Sequence, residues 1–139
     1  MLCKTLSAAV YGIDANIIEV EVDVSGVKTD QDYFHTVGLP DAAVRESRDG
    51  VRAALKNCGY DIPPTHITIN LAPADIRKEG AGFDLPMALG ILSAYGGLNK
   101  KEVPDAHFVG ELSLAATAQN LKRLVRFLTR RPKLQTATA

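Results

Sequence analysis

Hydrophobic residues recur along this chain with two different periods. In "KTLSAAVYG", Leu6, Ala8 and Val10 alternate with Thr5, Ser7 and Ala9, which predicts a first strand. After a "GID" turn, "NIIEVEVDVS" puts Ile18, Val20, Val22 and Val24 on one face and Glu19, Glu21 and Asp23 on the other. That period of two predicts a half-buried strand. "GVKTDQD" reads as a polar loop, and "YFHTVGLP" as a short third strand closed by Gly38 and Pro40, with His35 an ordinary strand residue.

The period then lengthens. From Pro40, the residues Val44, Val51, Leu55 and Cys58 fall at helical spacing and mark a buried face. Pro40 and Asp41 suit the first turn of this helix, and Gly59 suits its stop. Gly50 lies in its interior, where glycine costs about 1 kcal/mol relative to alanine. In "PPTHITINLAP", Ile67, Ile69 and Leu71 predict a fourth strand. A second helix is predicted to begin near Asp84 as N-cap, with Pro86 tolerated in the first turn, and to end at Gly96 and Gly97. It is apolar nearly all round, so it should be central and buried. "HFVGELSL" predicts a fifth strand. The order β-β-β-α-β-α-β, without an internal repeat, points to an α+β sandwich with two main helices on a mixed sheet.

Composition narrows the class. The 139 residues have room for one core, and 46% hydrophobic with 23% charged residues is ordinary for a globular domain. No apolar run approaches the roughly 20 residues of a membrane helix, and the N-terminal stretch reads as a strand and not a signal peptide. Two lone cysteines, Cys3 and Cys58, fit a reducing, cytoplasmic setting and supply no metal-site spacing.

The net charge of zero hides an asymmetry. Residues 115–139 carry Lys122, Arg123, Arg126, Arg130, Arg131 and Lys133 and no acid, so the other 114 residues hold ten basic against sixteen acidic groups. An acidic body is not the footprint of a strong nucleic-acid binder. Within it, Arg45, Arg48, Arg52 and Lys56 recur at three- and four-residue steps and form one basic stripe on the first helix. A solvated helix face is its plain reading, and contact with nucleic-acid phosphates is its functional one. The row Glu19, Glu21, Asp23 does not make a metal site, since same-face strand neighbours stand about 6.5–7 Å apart. In the tail, Leu121, Leu124, Val125 and Leu128 form an apolar stripe among basic residues. Such a helix can bind a membrane surface, nucleic acid or the acidic body.

The stretch "KEGAGFDLPMALGIL", Lys78 to Leu92, runs a glycine-punctuated turn into an apolar helix. It lacks the GxxxxGK[ST] pattern of a phosphate-binding loop, and an acid at the helix start repels phosphate. GxGxxG is absent as well. No ATP hydrolysis, catalytic residue, cofactor or metal is expected of this chain.

"AAVYGIDA", "EVEVDVS", "VGLPDAAVRESRDGVRAALKNCGY", "ITINLAPADIRKEGAGFDLPMALGIL" and "FVGELSL" together resemble the N-terminal domain of the magnesium-chelatase-like AAA+ ATPases of the ComM/YifB type. The resemblance covers residues 1–114. It implies a ribosomal-protein-S5-domain-2-like fold, shared with the proteolytic domain of Lon. It implies a parent protein acting in DNA branch migration, recombination and natural transformation, with ATP and magnesium bound only by its ATPase module. In Lon-type proteases the equivalent turn reads like KDGPSAG. Its serine nucleophile falls here on Gly82, which has no side chain, so the resemblance speaks against a serine–lysine peptidase.

Three departures accompany it. The loop "GVKTDQDYFHT" replaces a shorter family segment. Gly50 stands where a helix former is usual. Residues 115–139 replace the hairpin that follows "FVGELSL" in the family. The expectation is a fragment without its AAA+ module, with DNA as candidate partner and assembly into a homo-oligomer through the family's own mode. Neither a membrane nor a small-molecule substrate is expected. A stand-alone nucleic-acid-binding module is the other class kept open.

Overall fold

The computed structural model describes residues 1–28, 30, 31, 33–98, 105–112 and 121–127, the side chains of 26–28 excepted. β1 (Leu2–Tyr11) and β2 (Asp14–Lys28) form an antiparallel hairpin around Gly12. β3 (Tyr33–Val37) leads into α1 (Ala42–Asn57), which carries the chain back to β4 (Thr65–Ala72). β4 therefore runs parallel to β3 and antiparallel to β2, giving a mixed sheet in the order β1-β2-β4-β3. α2 (Asp84–Tyr95) follows, and residues 121–127 form a third helix, α3. The α+β class and the mixed sheet agree with the alternation read from the sequence.

The register explains the core. Val20 pairs with Leu71, Val22 with Ile69 and Val24 with Ile67, so the apolar side chains of β2 and β4 share one face. All six are buried. α2 covers this face over β1 and β2, and α1 packs against α2. The helix α2 is buried nearly all round, as its composition predicts. Its approach to the sheet is set by Gly90, where a Cβ would lie 2.5 Å from a Val22 methyl.

β2 runs on to Lys28, into the stretch read as a polar loop, and Asp41 is the N-cap of α1, with Pro40 outside the helix and not in its first turn; three larger corrections follow. In β1 the inward residues are Cys3, Thr5 and Ser7, whereas Val10 is 76% exposed. The register decides this: Thr5 stands opposite Val20 and Ser7 opposite Ile18, and directly opposed residues share a face. Thr5 is satisfied in the interior because its hydroxyl donates to Pro86 O at 2.9 Å. At α2, Asp84 is the first helical residue and not the N-cap. The cap is Phe83, and Asp84 turns its carboxylate inward.

The third correction concerns the fifth strand. Of "HFVGELSL", Ser113 and Leu114 lie outside the described residues, and the described part, "HFVGEL", makes one isolated bridge, His107 with Leu6, and no ladder. The alternation in its sequence is nevertheless real. The N–H groups of Phe108, Gly110 and Leu112 all donate inward, but to Leu6 O, Gly82 O and the Asp84 carboxylate in turn. Three different acceptors replace the single neighbouring strand.

In α3, Leu121 and Val125 are buried and Leu124 half-buried, so the apolar stripe meets the body. Leu128, Arg130, Arg131 and Lys133 lie outside the described residues.

Candidate functional site

The glycine turn is built from two chain segments clamped together. Asp41 caps α1, its Oδ1 accepting from Val44 N at 2.8 Å, while its Oδ2 accepts from Gly80 N at 3.1 Å. Backbone bonds lock the same contact: Lys78 N to Leu39 O at 3.1 Å and Asp41 N to Lys78 O at 3.0 Å. Leu39 takes φ 56°, a left-handed conformation costly for a branched residue, and these bonds hold it there. Gly38 precedes it at φ 97°, with room for no Cβ against Leu71 O.

Lys78 is fully buried, and its ammonium donates to Pro73 O. Burial lowers its pKa, opposed by the charge of Asp75. Sequence reasoning missed this lysine, since nothing in its neighbours marks a cation as interior.

The turn is closed from above. A Cβ at Gly82 would meet Val109 Cγ1 at 3.2 Å, because residues 108–112 lie across it. Gly110 N donates to Gly82 O at 2.9 Å and Leu85 N donates to Gly110 O at 3.0 Å. Asp84 N and Met87 N are taken by Ala81 O and Phe83 O, and Pro86 has no N–H to offer. The first turn of α2 thus spends its amides on the protein itself, which leaves little for a phosphate.

Asp84 completes the closure. Its Oδ2 accepts from Leu112 N at 3.0 Å. Its Oδ1 has no hydrogen-bond partner, since the nearby Ser47 hydroxyl donates to Ala43 O. Burial raises the Asp84 pKa, with the Leu112 N–H acting the other way and Glu111 adding to the rise.

The basic stripe is present as the spacing predicts. Arg45, Arg48 and Lys56 are exposed and Arg52 half-buried. It divides between two surface grooves. Arg45 and Arg48 line one beside β3, together with Glu46 and Asp49. Arg52 and Lys56 line the other with Tyr60, Asp61 and Ile62. Acidic side chains are therefore interleaved with the basic ones in both.

On the open face of the sheet the carboxylate row is partnered and not clustered. Glu19 pairs with Lys4 at 3.1 Å and Glu21 accepts from Asn70 at 2.8 Å. Among the described residues, no group of three or more His, Cys, Asp or Glu is arranged to hold a metal ion. The same face carries a ring cluster that the sequence reading passed over, with Tyr33 stacked on His66 at 5.0 Å and tilted against His35 at 4.7 Å. No helix among the described residues is long and apolar enough to cross a membrane.

Comparison with known proteins bears on the whole arrangement. The family model described as subunit ChlI of Mg-chelatase matches residues 20–138. The competence protein ComM of Haemophilus influenzae is 40% identical over 124 residues, covering 89% of this chain and 24% of that protein. The Escherichia coli protein YifB is 42% identical over 114 residues, covering 81% of this chain and 22% of its own length. The chain spans about a quarter of the length of these curated relatives. The sheet, the clamped glycine turn and the buried helix after it are therefore those of a magnesium-chelatase-like protein: the chain belongs to the ChlI family, and within it to the ComM/YifB type.

Proposed function

We propose that this chain is a non-catalytic module of a ComM/YifB-type AAA+ ATPase whose whole protein works in DNA branch migration, recombination and natural transformation. The closed glycine turn carries the first half of this reading. Gly82 supplies no nucleophile, Val109 covers it, and the amides that would cradle a phosphate are engaged within the protein. The Haemophilus relative is a competence protein, which supports natural transformation as the setting of the second half. ATP and magnesium belong, in this reading, to the part of the relatives that this chain does not match. Assembly into a homo-oligomer would run through the same whole protein, and the site of action is cytoplasmic. The two-layer β-β-β-α-β-α order supports assignment to the ribosomal-protein-S5-domain-2-like class.

Two assays on the purified chain test the proposal. With magnesium and ATP the expected turnover is zero, and hydrolysis by contaminant-free protein overturns the reading. A serine-directed covalent probe should leave the turn unlabelled, both in the parent and in Gly82→Ser. The new side chain would sit against Val109, with no base within 4 Å of its Cβ among the described residues. Labelling at position 82 would revive the Lon-like alternative.

A further inference from the structure

We infer that residues 107–112 form a releasable strap over the glycine turn. It is latched while the Asp84 carboxyl holds its proton and lifts when that carboxyl ionises, with the rest of the domain still folded. Gly82 supplies no nucleophile whether the strap is closed or lifted, so this device is independent of the non-catalytic reading above.

Little holds the strap. His107, Val109 and Glu111 are exposed, Phe108 is half-buried, and Leu112 is the strap's side chain in the buried core. No ladder supports it among the described residues. Its fastenings are Phe108 N to Leu6 O at 2.8 Å, Gly110 N to Gly82 O at 2.9 Å, Leu85 N to Gly110 O at 3.0 Å and Leu112 N to Asp84 Oδ2 at 3.0 Å. Segments with few buried apolar contacts open locally, well below the free energy of global unfolding. The helices beside Asp84 are anchored more firmly, α1 by Val51 and Leu55 and α2 by Met87, Leu89 and Ile91, all buried.

The carboxyl site fits the neutral acid. Asp84 Oδ2 accepts from Leu112 N, and Oδ1 has no hydrogen-bond partner. Ser47 spends its hydroxyl proton on Ala43 O, and its oxygen keeps a lone pair able to accept. A protonated Oδ1 donates to that lone pair, and the site is complete. An ionised Oδ1 meets an acceptor where it needs a donor, and a buried charge without a partner bears its full desolvation cost.

The surroundings point the same way. Burial and the like charge of Glu111, on the strap, both disfavour the carboxylate, and the Leu112 N–H favours it. Around it, Asp41 is engaged by Val44 N and Gly80 N, Lys78 by Pro73 O, and β1 brings the neutral Thr5 hydroxyl, which donates to Pro86 O. Lifting the strap lets solvent hydrate Oδ1 and moves Glu111 away. The open form therefore binds the proton less tightly than the closed one, so opening grows as pH rises from the first pKa to the second.

Native-state amide exchange of the full chain, followed by NMR at graded low denaturant and corrected for intrinsic rates, tests this. Gly110, Leu112 and Leu85 should exchange faster than Val22 and Ile69 and respond little to denaturant, the signature of a small opening. Their opening constant should rise at least tenfold between about pH 4 and pH 7 and stay level in Asp84→Asn. Ser47→Ala, which removes the acceptor for the acid form, should raise opening at about pH 4 and leave it unchanged at about pH 7, a split that a general loosening of α1 would not produce. Should Asp84→Asn not fold, the parent and Ser47→Ala decide. The inference is overturned if these amides exchange only with global unfolding, if opening in the parent is level with pH, if Asp84→Asn keeps the pH response, or if Ser47→Ala acts equally at both pH values.

Discussion

The fold opposes the ionisation of Asp84. It is buried, one oxygen is engaged by Leu112 N and the other has no partner. A carboxyl whose pKa is higher in the folded than in the unfolded chain holds its proton more tightly when folded. Its contribution is therefore most favourable below the unfolded value, and stability declines as pH rises through the folded one. Asp84→Asn keeps an oxygen for Leu112 N and places an amide nitrogen near the Ser47 hydroxyl oxygen, which can accept. The variant should match the parent in acid and exceed it in stability at neutral pH. Urea midpoints measured between about pH 4 and pH 7 check this, and a difference that does not change with pH contradicts it.

At the scale of elements, two glycines in helices have opposite meanings. Gly50 lies inside α1 with nothing within 4 Å of a Cβ, so Gly50→Ala should stabilise the protein by about 0.5–1 kcal/mol. Gly90 lies inside α2 against Val22, so Gly90→Ala should destabilise it by about 1–3 kcal/mol despite the better propensity. Thermal or urea unfolding of the pair separates the two cases, and equal effects would refute the packing argument. The sequence treats both residues alike as interior glycines. That difference measures what was legible. Period placed β2, β4 and the buried face of α1, because each buries residues at fixed intervals along one element. Period could not orient β1, whose inward Thr5 and Ser7 are polar and are assigned by their partners on β2. Nor could it tell a fifth strand from a segment with three successive acceptors. At the candidate site, the turn and the stripe on α1 were readable as motifs. The burial of Lys78, the Asp41 clamp and the groove beside β3 were not, since each arises between segments distant in sequence.

For the molecule as a whole, charge decides how it meets nucleic acid. The body is acidic in sum, and Glu46, Asp49 and Asp61 stand among the stripe's cations. DNA binding should be weak, independent of sequence, and should fall steeply as salt rises. Deleting residues 115–139 would also remove Leu121 and Val125 from the core, so charge is better tested in place. Lys122→Gln/Arg123→Gln, both exposed, should weaken binding at low salt more than Arg52→Gln/Lys56→Gln does. The reverse order, read by fluorescence anisotropy, would move the contact to α1. The segment 107–112 has a further consequence, in the timing of synthesis. A ribosome releases the chain in order, so β1, the glycine turn and α2 are all made before the residues that bind them together. Until Phe108, Gly110 and Leu112 have emerged, Leu6 O, Gly82 O and the Asp84 carboxylate in turn await their donors. The nascent domain can then pair its strands but cannot close the glycine turn until residues 107–112 follow, and the core is complete only when Leu121 and Val125 of α3 have joined it.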